Sequence, residues 1–228
     1  FSGWNEFTER NTFFTFLYCD CSNLVEESVM NNIRANFKES ISVKSKILVS
    51  QELDVLEAIG NAIKTAIQNG NKLMLCGNGG SAADAQHLAA EMLIRLRPSV
   101  NRAGVPAIAL AQDASTITAC GNDFGYDFLY ERMTQALGRE GDVLIGITTS
   151  GNSDNVIRAM KIARTLGITV FGFLGSGGGK ALEFCEEAFV VPSGNTARIQ
   201  EAHITAGHAL MEYIEDCLLE EGYLQLSD

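Results

Sequence analysis

The sequence predicts an α/β fold: a three-layer sandwich in which a five-stranded parallel sheet is flanked by helices. Three observations predict it. Five short apolar runs alternate with stretches of helical periodicity, the pattern of a parallel sheet covered on both faces. Glycine- and serine-rich loops fall where two of these runs give way to helices, the carboxyl ends at which such folds bind ligands. At 228 residues and 46% apolar content, the chain is long enough to bury the core of one large domain.

The elements follow in order. Leu53, Leu56, Ile59, Ile63 and Ile67 form a helical stripe, which Ser50 can cap and Gly70 can end. The run 72–76 reads as a buried strand. It is followed by the loop Gly77-Asn-Gly-Gly-Ser81 and an alanine-rich helix to about Arg95. A second strand spans 106–111, with helices near 114–120 and 127–137. Asp142-Val-Leu-Ile-Gly-Ile147 is the third strand. After the loop 148–153, Val156, Ile157, Met160, Ile162 and Ala163 recur at helical spacing. Strands at 169–174 and 188–191 and a long helix over 197–221 complete the pattern. The expected organisation is an extension over 1–29 and a single domain over 30–228, with helices at about 30–70 and an α/β core at about 71–192.

Composition removes several classes of function. A net charge of −11 and the lack of a basic stripe argue against nucleic acid or an anionic membrane as partner. No apolar run approaches the roughly 20 residues that a bilayer-spanning helix needs. The six cysteines, Cys19, Cys21, Cys76, Cys120, Cys185 and Cys217, form no CxxC pair, which fits reduced thiols in a cytoplasm. Residues 1–29 carry the aromatic patch Phe13-Phe-Thr-Phe-Leu-Tyr18 behind Glu6 and Glu9, unlike a signal peptide. They read either as an upstream extension before a start near Met30 or as a docking segment.

Thr148-Thr149-Ser150-Gly151-Asn152-Ser153 is the most informative loop. At the end of a strand and the start of a helix, free N–H groups and the positive helix terminus attract an anion, and small hydroxyls add hydrogen bonds to phosphate oxygens. An ordinary turn with Ser153 as N-cap would need one such residue; this loop supplies five. Gly77-Asn-Gly-Gly-Ser-Ala82 also fits a loose dinucleotide fingerprint, with Asp113 after the next strand. However, Asp113 lies about 30 residues on, where the fingerprint expects about 20. Gly175-Ser-Gly-Gly-Gly-Lys180 resembles a P-loop but carries Ala181 in place of Ser or Thr, and reads as a flexible turn.

Only three histidines are present. His87 and Glu91, four apart, project from one face of the helix after the first glycine loop. His203 and His208 are about 140° apart around the final helix and cannot face one pocket; Gln200 and His208, within about 80°, are the better pair.

Together, Cys76-Gly-Asn-Gly-Gly-Ser81, His87-x-x-x-Glu91, Gly121-Asn-Asp-Phe-Gly125, Gly138-Arg-Glu-Gly-Asp142, Thr149-Ser-Gly-Asn-Ser153 and Arg198-Ile-Gln-Glu201 with His203 and His208 closely resemble the bacterial phosphoheptose isomerases, sugar isomerase (SIS) domain proteins. The resemblance runs from about Met30 to the C-terminus. It implies a flavodoxin-like or Rossmann-like sheet, a cytoplasmic homotetramer with active sites at subunit contacts, and no nucleotide cofactor. The implied reaction converts sedoheptulose 7-phosphate to D-glycero-D-manno-heptose 7-phosphate, the first step towards activated heptose for lipopolysaccharide.

Moving a carbonyl from C2 to C1 needs a base for the α-proton and an acid for the oxygen; Glu91 is expected as base and His208 as acid. Thr148, Thr149, Ser150 and Ser153 are expected to hold the phosphate. The family pattern places Asn78, Gly79, Gly80, Ser81, Asn122, Asp123 and Gln200 on the sugar, and Arg95 on the phosphate or a subunit contact. Zinc in some members implies His87, Glu91, Gln200 and His208 as ligands here. Two other classes stay open: a non-catalytic SIS regulator that binds the replication initiator, whose branch lacks the equivalents of Glu91 and His208, and a dinucleotide-binding oxidoreductase. Ala197 departs from an acid found in some members.

Overall fold

The computed structural model describes the backbone of residues 13–110 and 113–226 and side chains from residue 31 onward. The first twelve residues and the side chains of the expected aromatic patch lie outside the described residues. The chain divides into a unit that ends at Ser42 and one that runs from Val43. The first is helical, formed by α1 (Phe13–Leu48), whose last turns belong to the second unit.

The second unit continues with α2 (Glu52–Gln68), β1 (Leu73–Gly77), α3 (Gly80–Leu93), β2 (Ala107–Ala109), α4 (Ala114–Asp123) and α5 (Leu129–Leu137). Then come β3 (Val143–Thr148), α6 (Asp154–Thr165), β4 (Thr169–Gly175), β5 (Glu187–Val191) and α7 (Thr196–Glu220). All five strands are parallel, in the order β2-β1-β3-β4-β5. That is the flavodoxin-like order, whose direction reverses between β1 and β3; ligands bind in the crevice outside that switch point.

The strands are buried on both faces, which is why they read as continuous apolar runs. Leu73, Leu75, Val143, Ile145, Ile147, Phe171, Phe173, Phe189 and Val191 face α2, α3 and α7. Met74, Cys76, Leu144, Val170 and Leu174 alternate to the opposite core against α5 and α6. Val43 and Ile47 close the first core. The predicted three-layer α/β class is the observed one.

Local details depart from expectation in three places. Ser50 stands one residue too early to be the N-cap of α2; Gln51 holds that position, and the Ser50 hydroxyl accepts the Glu52 N–H at 3.2 Å. The helix expected at 127–137 opens with a 3₁₀ turn over Tyr126–Phe128. Finally, the 175–180 segment is pinned rather than free: the Ala181 N–H donates to the Gly151 carbonyl at 2.9 Å and the Lys180 N–H to Asn152 Oδ1 at 3.2 Å. A 3₁₀ helix follows it from Gly179 to Phe184.

Among the described residues Cys76, Cys120, Cys185 and Cys217 are free. Burial pushes the thiols of Cys76 and Cys185 up to about 12, so neither is a ready nucleophile. No helix of the described residues is long and apolar enough to cross a membrane.

Candidate functional site

The two loops singled out in the sequence lie on either side of the switch point, one after β1 and one after β3, whose ends are in register at Gly77 and Ile147. In the second loop the hydroxyls of Thr148 and Ser153 are 3.0 Å apart, and Ser150 Oγ lies 3.4 Å from Thr148 Oγ1. Ser153 occupies the N-cap position of α6 but makes no side-chain cap bond. Its hydroxyl turns to the cluster instead, so the residue that an ordinary turn would use as a cap serves the loop. The backbone bends at Gly151, φ +66°, where a Cβ would lie 2.0 Å from the Gly178 carbonyl oxygen. Only glycine fits there.

The first loop turns through Gly79, φ +54°, into α3. Gly80 is covered by the Gln200 amide; a Cβ there would meet Gln200 Nε2 at 2.6 Å. Ser81 is buried in the first turn. The Tyr130 hydroxyl donates to the Gly77 carbonyl, and burial raises the Tyr130 pKa, which keeps that hydroxyl a donor. Asn78 pairs with Asn155 of α6 and accepts from the Tyr126 hydroxyl at 2.8 Å.

Farther along α3, His87 and Glu91 meet His208 of α7. The two imidazole Nε2 atoms stand 2.8 Å apart, and His87 Nε2 is 3.4 Å from Glu91 Oε1. The second Glu91 oxygen, Oε2, is buried without a hydrogen-bond partner. Ligand-type atoms of these three residues all lie within 4.8 Å of one another. Two imidazoles and a carboxylate suit a zinc-type ion, and a buried carboxylate oxygen without a partner is what a cation would satisfy. The donor set therefore fits a metal.

Gln200 is placed at the glycine-loop end of this row, its Nε2 3.5 Å from Asp84 Oδ1. Asp84 was not expected from the sequence. It is buried, and burial raises its pKa, opposed by the Gln200 hydrogen bond and the nearby His87 and His208. Its spacing, i−3 from His87 on an alanine-rich face, was the available signal.

Other expected residues separate from this group. Arg95 is exposed just beyond the end of α3, a helix whose last residue, Leu93, is about 20 Å along the axis from Gly80. The Val105 N–H, just before β2, bonds the Met92 carbonyl, so Arg95 lies at the sheet edge opposite the two loops. Within one chain it does not reach the hydroxyl cluster. Asn122 and Asp123 end α4, linked to each other at 2.7 Å and exposed; Tyr126, three residues on from Asp123, carries this connection to Asn78.

His203 turns away into the core, as the angular argument required. Its Nε2 lies 3.0 Å from the Leu174 carbonyl, so Nε2 carries the proton, and burial lowers its pKa to about 4. Asp113 is the N-cap of α4, accepting the Thr116 N–H at 2.7 Å. This bond accounts for the acid that a dinucleotide reading had placed on a ribose.

Comparison with known proteins agrees with this geometry. The SIS domain model matches residues 36–175. The chain is 47% identical over 192 residues to a phosphoheptose isomerase of Aquifex aeolicus, covering 84% of this chain and 99% of the relative. It is 46% identical over 192 residues to one of Clostridium acetobutylicum, covering 84% and 97%. Among solved structures, the phosphoheptose isomerase of Neisseria gonorrhoeae superposes with a TM-score of 0.77 at 39% identity, covering 82% of this chain and 99% of that one. That of Francisella tularensis gives 0.78 at 34% identity, covering 82% and 98%. The chain therefore belongs to the SIS-domain proteins and, among them, to the phosphoheptose isomerase family.

Proposed function

We propose that the protein interconverts sedoheptulose 7-phosphate and D-glycero-D-manno-heptose 7-phosphate through an enediol, supplying heptose for lipopolysaccharide. The observation that carries this reading is the arrangement at the switch point: a hydroxyl cluster after β3 and, on α3 about two to three turns from the first glycine loop, the Glu91 carboxylate grouped with two imidazoles. An anion handle separated from an acid–base pair suits a substrate with phosphate at one end and a carbonyl at the other.

Thr148, Thr149, Ser150 and Ser153 hold the phosphate with the positive end of α6 behind them. Asn78, Gly79, Gly80, Ser81, Asn122, Asp123 and Gln200 line the sugar. Glu91 takes the proton from C1 and returns it to C2. His208 gives a proton to the C2 oxygen and recovers one from the C1 hydroxyl, so the bond changes balance without an outside reagent. Zinc, with His87, Glu91, Gln200 and His208 as its ligands, would polarise the substrate carbonyl when bound.

The working form is a cytoplasmic homotetramer. Half-exposed His87 and the distant Arg95 support this reading, since both are positioned for cover or completion by a neighbouring subunit. The test is an NMR assay of sedoheptulose 7-phosphate with the purified protein, repeated after chelation and after adding zinc. Appearance of the aldose signals is expected; their absence in all three conditions contradicts the assignment.

A further inference from the structure

The Asn78 side chain is held by bonds whose donors and acceptors can be assigned from one fixed point. A backbone N–H can only donate, and the Val156 N–H lies 2.9 Å from Asn155 Oδ1. That identifies the Asn155 oxygen, and with it the Asn155 nitrogen, whose distance to Asn78 Oδ1 is 2.8 Å. The Asn78 nitrogen then faces Asn155 Oδ1, also at 2.8 Å. The Tyr126 hydroxyl donates to the same Asn78 oxygen at 2.8 Å. Asn78 Oδ1 thus has both its lone pairs engaged, while Nδ2 has given one of its two N–H groups.

We infer that Asn155 and Tyr126 are positioning residues that make Asn78 a one-way donor: a single N–H aimed at an acceptor oxygen of the sugar phosphate. This inference rests on the proposed isomerase reading for its substrate, but the hydrogen-bond assignment stands apart from it. Asn155 is buried at 3% exposure in the first turn of α6, the helix that also carries the hydroxyl loop. The reciprocal amide pair therefore ties the loop after β1 to the loop after β3, across the crevice where substrate would lie. Tyr126 and Tyr130, one turn apart, fasten Asn78 and Gly77 from the other side. The clasp sets both the polarity of Asn78 and the spacing between sugar-binding and phosphate-binding loops.

Asn155→Asp is the discriminating variant. The new carboxylate still accepts from Val156 and Asn78 but cannot donate to Asn78 Oδ1; two acceptor oxygens then face each other, the reciprocal pair is broken, and the aim of the remaining Asn78 N–H is lost. Tyr126→Phe removes one bond and leaves the pair intact. In the isomerase assay, Asn155→Asp is expected to lower kcat/KM by roughly tenfold or more and Tyr126→Phe by roughly threefold, with competitive inhibition by inorganic phosphate within about twofold of wild type. Melting temperatures are expected to stay within a few degrees. Wild-type kcat/KM in Asn155→Asp, or a loss matched by equal losses in phosphate affinity and melting temperature, overturns the inference.

A second measurement does not depend on turnover. The Asn78 side-chain amide, assigned in ¹⁵N spectra by its absence from Asn78→Asp, is expected to have one proton protected from solvent exchange in the wild type and to lose that protection in Asn155→Ala. Fast exchange of both protons in the wild type contradicts the clasp even if the protein is an active isomerase. An inactive wild type with the protected proton overturns the isomerase reading alone.

Discussion

His87 on α3 and His208 on α7 bring their Nε2 atoms to 2.8 Å with ring planes 87° apart. At that separation one nitrogen donates and the other accepts, so the two rings are joined by a hydrogen bond. The helices can come this close because of their neighbours. Gly207 precedes His208, and a Cβ on it would lie 2.6 Å from a methyl of Leu88, the residue after His87. The glycine that lets α3 and α7 touch is thus beside the histidines that meet.

Gly207→Val should therefore harm the site through the helix spacing. The added methyls overpack against buried Leu88, at a cost of about 1–3 kcal/mol. Thermal unfolding with and without zinc checks this: a lower melting point and a weaker zinc-dependent rise than wild type are expected. A variant with wild-type zinc stabilisation would show that the contact does not set the histidine geometry.

Gly151→Ala addresses the hydroxyl loop. With φ at +66° and the Gly178 carbonyl in the way, the loop must move or strain by about 1–3 kcal/mol. In the proposed reaction the loop anchors substrate away from the reacting carbons, so KM is expected to rise roughly tenfold while kcat changes less. Steady-state kinetics with sedoheptulose 7-phosphate read both numbers.

His203 gives the fold a defined acid sensitivity. Its folded pKa is lowered to about 4 from an ordinary 6.5 by burial, so the unfolded chain binds a proton more readily. The stability that His203 contributes is complete above about pH 6.5 and is lost as pH falls towards 4, roughly 3 kcal/mol in all. His203→Gln, which can still donate to Leu174, should flatten this part of the profile. Urea unfolding at pH 7 and 4.5 measures it; an identical pH difference in both proteins would contradict the assignment.

Much of this arrangement was legible in the residues. Strands such as Leu73–Gly77 and Val143–Thr148 are buried on both faces, so their apolar runs announced them, and the His87–Glu91 face followed from helical spacing alone. The angle between His203 and His208 correctly sent one inward. What could not be read depends on pairing between distant segments. Nothing local to Asn155 says that its amide meets Asn78, or that Tyr126 completes the pair; both follow from β1 and β3 being neighbours. Arg95, expected on the phosphate or a subunit contact, lies just beyond α3 and apart from the hydroxyl loop of its own chain, a placement that the motif match alone does not give. Gly178 backing Gly151 turned a supposed free turn into part of the loop's support.

The most direct test is the proton transfer itself. With sedoheptulose 7-phosphate in D₂O, wild-type protein is expected to form the aldose, and solvent deuterium incorporated at C2 would report the enediol. Glu91→Gln and His208→Ala should each lower kcat by roughly 10²-fold or more while keeping the fold and the affinity for inorganic phosphate. Turnover in either variant at the wild-type rate would contradict the account.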